Sequence, residues 1–313
     1  MAKFSYSVTR DNMFRECPRG YYLYYYGADK GWSGSASEEA KKAYRYKKAK
    51  PMRLAFKEAL TNSLRGYISG DVGDIKKALC KELHDACYKA LHMELWKQSP
   101  NSNPTFTELV NGNGTFKSDV AKEAVEKIKE EMKEIIHFSK LRTVADIMDG
   151  AQIEDDGKDF ESGILFYTME DGTDVEVWAK PSFIIRKGDK VIAVLWSLGL
   201  DGTQLESQLF HARLVAQYIC DTYYVDPSNA VVRKEDMITG EYMDMTFAHP
   251  LEEVSAQLDS RINEMRNYIK GHDTETNIPI EKESFKMAED KGKCHSCQFF
   301  NICYKGEEDN SKQ

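Results

Sequence analysis

An α/β fold is what this sequence predicts, and three stretches carry the prediction. Residues 163–197 read as strands, 205–223 as a helix, and 229–247 as a further strand pair. With helix-forming sequence before them, the order is α–β–β–β–α–β with flanking helices, a layered arrangement rather than separate all-α and all-β units.

The stretch 174–199 is the most readable. Val175, Val177 and Ala179 alternate with Glu176, Trp178 and Lys180, the two-residue period of a half-buried strand. Beyond the turn Lys187-Gly188-Asp189-Lys190, the run Val191-Ile192-Ala193-Val194-Leu195-Trp196 is apolar throughout, as a strand buried on both faces requires. An earlier strand over 163–169 is set off by the turn Glu170-Asp171-Gly172. In the helix over 205–223, Leu209, Ala212, Ala216 and Ile219 recur at helical spacing. Residues 229–233 and 242–247 pair about Thr239-Gly240, and 251–269 reads as an amphipathic helix.

The first half is read as mostly helical. Residues 6–28 read as a cap, Thr9 or Asp11, followed by a short helix. Cys17-Pro18-Arg19 interrupts it before a tyrosine-rich run over 21–26 that, taken alone, reads as core packing. Residues 35–150 form a mostly helical lobe, with helices over 72–98 and 117–147 and a Pro/Asn/Gly-rich loop over 98–114. Cys80, His84 and Cys87 share one helix face, but Leu91 continues that face, so they read as core or near-core residues. Cys220 reads as core too. Between Lys41 and Arg65, nine basic side chains face one acidic residue, Glu58. A solvated helix face explains such a run; the interleaved Tyr44 and Tyr46, in an otherwise acidic chain, point instead to contacts with a phosphate backbone.

With 313 residues, 41% hydrophobic and 30% charged, the composition is that of an ordinary globular protein. No apolar stretch approaches the roughly 18–20 residues of a membrane span, and the opening MAKFSYSVTRDNMF lacks the apolar segment of a secretory signal. A cytoplasmic protein with no membrane partner is expected. A net charge of -8 argues against a surface basic all over and leaves room for a local basic groove. Seven cysteines then suggest core thiols or metal ligands rather than disulfides. Cys294, Cys297 and Cys303 cluster near one end of the chain, and Cys17 lies near the other.

Together these residues resemble the PD-(D/E)XK nuclease superfamily, in its RecB-like, iron–sulfur branch of the AddB and CRISPR-adaptation type. In that branch the core hairpin ends its first strand in Pro-Asp and its second in Asp-Trp-Lys-Thr-Gly. Here the corresponding residues are Pro181-Ser182 and Leu195-Trp196-Ser197-Leu198-Gly199. The frame of Pro181, Trp196 and Gly199 is retained, and both carboxylates and the lysine are replaced. Cys17-Pro18-Arg19-Gly20-Tyr21-Tyr22 resembles the branch's Cys-Pro-Arg-x-Tyr-Tyr opening, continued by 27–32, and Lys57-Glu58 stands where a metal-holding His-Glu would be. Gln208 matches a family glutamine, although Ala212 replaces the tyrosine four residues on. Both ends and the core take part in the resemblance; residues 66–160 add little.

The resemblance implies one RecB-like domain over 1–313, with the core sheet and its helices in 160–270. It also implies a 4Fe-4S cluster on Cys17, Cys294, Cys297 and Cys303, the cysteines of 290–304 being joined to Cys17. Zinc on the same four, or on three with His295, is the weaker alternative, and unliganded thiols a third. Because Ser182, Leu195, Ser197 and Lys57 occupy the catalytic positions, no catalytic Mg2+ or Mn2+ is expected. The expected protein is a catalytically inactive nuclease-like iron–sulfur protein. It would bind DNA or RNA, or a protein partner in a nucleic-acid-processing complex of repair, CRISPR adaptation or defence. Arg45, Lys47, Lys48, Lys57, Lys180 and Gln208 are the candidate nucleic-acid contacts. One alternative is a structural scaffold subunit without DNA binding. Another is an active metal-dependent DNA exonuclease with a migrated site on Asp201 and Glu176, the latter expected to share a face with Lys180 and Ser182.

Overall fold

Pro181 has no N–H to give a sheet, and the chain changes sheets around it. The computed structural model describes residues 3–49, 51–71, 73–74, 77–82, 85, 126, 140–159, 162–198, 205–294, 297–300 and 302–304. Its strands form two mixed sheets. Strand β4 (Asp174–Trp178) is the middle of a three-stranded sheet, flanked by the parallel β1 (Ser5–Ser7) and the antiparallel β3 (Ile164–Thr168). After Pro181, β5 (Phe183–Lys187) belongs to a five-stranded sheet ordered β2-β5-β6-β7-β8. Its other members are β2 (Gln152–Asp155), β6 (Lys190–Ser197), β7 (Ala230–Asp236) and β8 (Tyr242–Met245). Only β6 and β7 pair in parallel there. The expected alternation through Lys180 therefore stops at Trp178, and two strands outside 160–270, β1 and β2, complete the sheets.

The apolar run of β6 is explained by packing on both faces. Val191 and Ala193, with Ile184, Ala230 and Val232, join a core that includes Tyr6, Val177 and the helix Leu205–Tyr223. Ile192, Val194 and Trp196 join a second core with Phe183, Val231 and residues Phe56, Leu60 and Leu64 of the helix Met52–Ile68. Trp196 stacks on Phe183 at 5.7 Å, and its indole N–H donates to Glu235 at 3.0 Å. Glu235, fully buried, also accepts from the Thr143 N–H at 3.1 Å, so the carboxylate is hydrogen-bonded as a buried charge must be. Each fully buried large apolar side chain contributes about 2 kcal/mol here.

In chain order the named helices are α1 (Val8–Glu16), α2 (Pro18–Tyr22), α3 (Glu38–Lys47), α4 (Met52–Ile68), α5 (Arg142–Met148), α6 (Leu205–Tyr223), α7 (Ser255–Arg266) and α8 (Lys291–Cys294). The cap of α1 is Ser7, whose Oγ accepts from the Arg10 N–H at 3.2 Å; neither Thr9 nor Asp11 fills that place. Asp11 is instead buried, accepting from Tyr6, Arg15 and Arg261. Cys17 ends α1 and caps α2, followed by a π-helical turn at Leu23–Gly27. Tyr21, Leu23 and Tyr26 are buried, in keeping with core packing of the tyrosine run. Helix α7 is shorter than the 251–269 pattern because 250–254 form turns.

Within 35–150 the named elements α3, α4 and α5 are all helices. Cys80 is exposed rather than core, since Leu79 carries the buried position of that segment. His84, Cys87, the loop over 98–114 and most of 117–147 lie outside the described residues. Among the described residues, no helix is long and apolar enough to cross a membrane.

Candidate functional site

Strands β6 and β7 run parallel, and α6 follows β6, so a crevice forms beyond their C-terminal ends, where open α/β sheets place ligands. The register sets Leu195 beside Lys234, and Lys234 opposite Met243 of β8. Residues two apart on a strand share a face, so Leu195 and Ser197 lie on the side of Val191 and Ala193, and Trp196 on the other. A pocket of about 220 Å3 opens here. Helix α4 contributes Lys57, the segment around Pro181 contributes Lys180 and Ser182, and β6 contributes Leu195, Trp196 and Ser197. Gln208, Leu209 and His211 come from α6, Lys234 from β7, and Met243 and Met245 from β8. The four positions that the resemblance marks as catalytic, Ser182, Leu195, Ser197 and Lys57, thus meet in one pocket together with Lys180 and Gln208. Among the described residues that line it, none is acidic.

Backbone contacts fix the polar lining. The Ser182 Oγ accepts from the Trp196 N–H at 3.2 Å, and its carbonyl accepts from Arg65 Nη2 at 2.8 Å. Gly157, at φ +71°, lies against both that carbonyl and the Arg65 guanidinium, and any Cβ there would strike them. The Ser197 Oγ donates to the Glu235 carbonyl at 3.4 Å. Lys234 donates to Gln208 Oε1 at 2.6 Å, and Lys180 donates to the Asp159 carbonyl.

The electrostatics follow from this lining. Burial, and then the charge of Lys234, lower the Lys57 pKa below the ordinary lysine value. Burial, and then Lys57, push His211 down to about 4, so its imidazole is neutral at pH 7. Mg2+ takes oxygen ligands, usually including carboxylates, and is repelled by ammonium groups, so the described lining suits an anion rather than a hard cation.

Other expected contacts lie elsewhere. Glu176 sits on β4, in the three-stranded sheet, within electrostatic reach of Lys3, and does not line the pocket. It does not share a strand face with Lys180 and Ser182, because β4 ends before them. Asp201 lies outside the described residues. Arg45, Lys47 and Lys48 are at the end of α3 and do not line the pocket either. The Lys47 ammonium lies over the Tyr24 ring at 4.8 Å and that of Lys48 over Tyr44 at 4.4 Å. Sequence reasoning missed Lys234 and His211. Their signals are a lysine following Arg233 after the apolar start of β7, and a histidine three residues beyond Gln208 on one helix.

No family model matches the chain, and no curated protein does.

The cysteines lie within electrostatic reach of one another, away from the pocket. Burial, and then Cys17 and Cys294, raise the Cys297 thiol; among larger causes, burial comes first for Cys303, then Cys297 and Cys17, pushing it up to about 12. These couplings link Cys17 to all three cysteines of the C-terminal cluster, directly or through Cys297. The Gly20 N–H donates to Cys17 Sγ at 3.3 Å and the Phe299 N–H to Cys297 Sγ at 3.4 Å. Leu23, Ala28, Ala43 and Phe299 form an apolar cluster against which Cys297 and Cys303 pack. Among the described residues, no three His, Cys, Asp or Glu side chains stand at metal-holding spacing; His295 lies outside them. Four thiols, two of them with backbone N–H donors and two packed on an apolar cluster, are nevertheless a donor type that suits iron–sulfur or zinc chemistry.

Proposed function

We propose that this chain is a catalytically inactive, RecB-like PD-(D/E)XK protein that carries a 4Fe-4S cluster and binds nucleic acid, or a partner that processes it. The observation that carries the reading is the pocket at the replaced catalytic positions: Lys57, Lys180 and Lys234 line it, and among the described residues no acidic one does. A nuclease needs carboxylates there to hold its metal and activate water. Their replacement removes that chemistry and lessens repulsion of a phosphate backbone. Lys57 and Lys234 would attract the phosphate, and Gln208 would hold the Lys234 side chain in place. Cys17, Cys294, Cys297 and Cys303 would hold the cluster, which when bound supplies a link between distant chain segments and lowers the entropy of the unfolded chain. The setting of repair, CRISPR adaptation or defence follows from the resemblance.

The test is a titration of anaerobically purified protein against labelled single-stranded and duplex DNA with Mn2+ present, read by anisotropy and by gel. Binding that weakens with salt, without cleavage, is the expected result. A second reading, a scaffold without DNA binding, is favoured by the exposed Phe166 and Tyr224, 80% and 93% accessible, and would give neither binding nor cleavage. Cleavage abolished by Glu176→Ala would overturn the proposal in favour of a migrated site.

A further inference from the structure

We infer that the free edge of β3 takes an extended, basic segment of a protein partner as an added strand, with a lysine or arginine of that segment in the acidic pocket beside it. The inference goes beyond the reading above and uses another part of the molecule, so either can fail alone. The edge is the first ground. Among the described residues, β3 is outermost in its sheet, with β4 its one neighbour. The Gly163 carbonyl accepts from the Ala179 N–H at 2.7 Å, and the Met169 N–H donates to the Thr173 carbonyl at 2.9 Å. Bonded pairs alternate along an antiparallel ladder, so Leu165 and Tyr167 also bond to β4, while Ile164, Phe166 and Thr168 turn their N–H and C=O groups outward. Among the described residues, none bonds to those outward groups. Natural edges are blunted by charge, proline, a bulge or a covering element. Residues 163–169 carry no charge and no proline, the register with β4 is unbroken, and Phe166 is 80% exposed.

The pocket sets the partner's chemistry. A cavity of about 640 Å3 lies where the edge ends, lined by Tyr167, Thr168 and Glu170 and by residues of α6, α7 and 248–252. Asp259 of α7 accepts from the Glu170 N–H at 3.1 Å and from the Tyr167 hydroxyl at 2.6 Å, which brings its carboxylate to the edge. Glu170 and Glu252 add two further carboxylates. Among the described residues that line the cavity, the one basic group is His249, 3.7 Å from Glu252. The stretches that supply this lining, 162–198 and 205–294, are described without a gap. On the open face of the sheet, Phe166 stands opposite Glu176 and Thr168 opposite Asp174, with Lys3 within electrostatic reach of both acids. An added strand thus meets carboxylates on either side, and main-chain pairing supplies affinity while the pocket selects a basic side chain. A second copy of this chain, itself at a net charge of -8, would bring the same acidic seam to the contact.

The experiment uses the full chain and capped fluorescent peptides of alternating Val and Thr, with each position in turn set to Lys, Glu or norleucine. In the free protein the amides of Ile164, Phe166 and Thr168 should exchange with D2O about tenfold or more faster than those of Leu165 and Tyr167. The best lysine peptide should bind about tenfold or more tightly than its norleucine match, the scale of a hydrogen bond to a charged group, and should protect those amides. Of its two forms with alternate amides methylated, one should keep binding and the other lose it, because only every second amide faces β3. Phe166→Pro removes an N–H that β4 does not use, a place where proline is tolerated, and should abolish binding with little change in Tm. Glu170→Gln with Glu252→Gln should keep the peptide bound and erase the lysine advantage. Outward amides already protected in the free protein would overturn the inference in favour of a segment of this chain on the edge. Protection that appears only as sedimentation shows a dimer would overturn it in favour of a second copy. Equal affinity for lysine, glutamate and norleucine peptides would overturn the basic partner, and no binding by any of them would overturn the site.

Discussion

The lysine pocket and the cysteine cluster depart from the resembled nucleases in opposite ways. At the pocket the supporting residues remain and the reactive ones are replaced; at the cluster every sulfur donor remains. The packing supplies a reason for the difference. Trp196 is buried, stacked on Phe183 and hydrogen-bonded to Glu235, so losing it would leave a cavity and orphan a buried carboxylate. Ser182, Leu195 and Ser197 line an open pocket, where a change of side chain costs the fold little. Under the proposed function the cysteines would resemble Trp196 in this respect, holding the fold together through the cluster.

The largest effect that would sharpen this contrast is expected at Cys17. Cys17→Ser should release iron and destabilise the protein by on the order of 4 kcal/mol, by analogy with a cross-link closing a very long loop. Iron content and thermal denaturation check it, and unchanged iron would remove Cys17 as a ligand. Next comes the frame. Glu235→Ala strands the indole N–H of Trp196 and the Thr143 N–H in the core, for a loss of about 2–4 kcal/mol, whereas Ser197→Ala should stay within about 0.5 kcal/mol. Equal losses in urea denaturation would erase the distinction between frame and lining.

Lys57→Met should be stabilising, by about 1 kcal/mol, because it removes a desolvated ammonium beside another. The sign with pH follows from the lowered pKa. Between the folded value and the ordinary 10.5, the unfolded chain holds the extra proton, so wild-type stability gains on the variant's as pH rises through that window. A gap that widens instead would place Lys57 in an acidic environment. The smallest signal is chemical. Ser182→Asp, Leu195→Asp and Ser197→Lys together should yield slow Mn2+-dependent cleavage if only the reactive groups were lost. A well-folded triple variant without any cleavage would mean that the pocket's shape has changed as well.

Much of this was legible from local pattern. The apolar run of β6 and the helical spacing of α6 match the structure almost residue for residue, because burial on fixed faces imposes those periods. The strand pair β7–β8 about Thr239-Gly240 was legible too, although β7 runs three residues past 233 and β8 stops two short of 247. The break between β4 and β5 was written in Pro181, but apolar residues on both sides disguised it as one strand. Pairings between distant segments left no such trace. Ser5–Ser7 is too short to read as a strand and is one because β4 lies beside it. At the pocket, Lys57, Ser182, Leu195, Ser197 and Gln208 came from the motif, while Lys234 becomes visible only once the parallel register sets it beside Leu195. Glu176 misled for the converse reason: its alternation is real, but it belongs to the other sheet.

Asp11 carries a consequence for how the chain is made. Its buried carboxylate lies in the first helix, and Arg261, which pairs with it at 2.7 Å, comes 250 residues later. On a ribosome adding about 5–20 residues per second, that helix has Arg15 beside Asp11 at once but waits many seconds for its second cation, Arg261. Until then the carboxylate has only the half-exposed Arg15 to offset burial, and the N-terminal segment has a reason not to settle into a premature core.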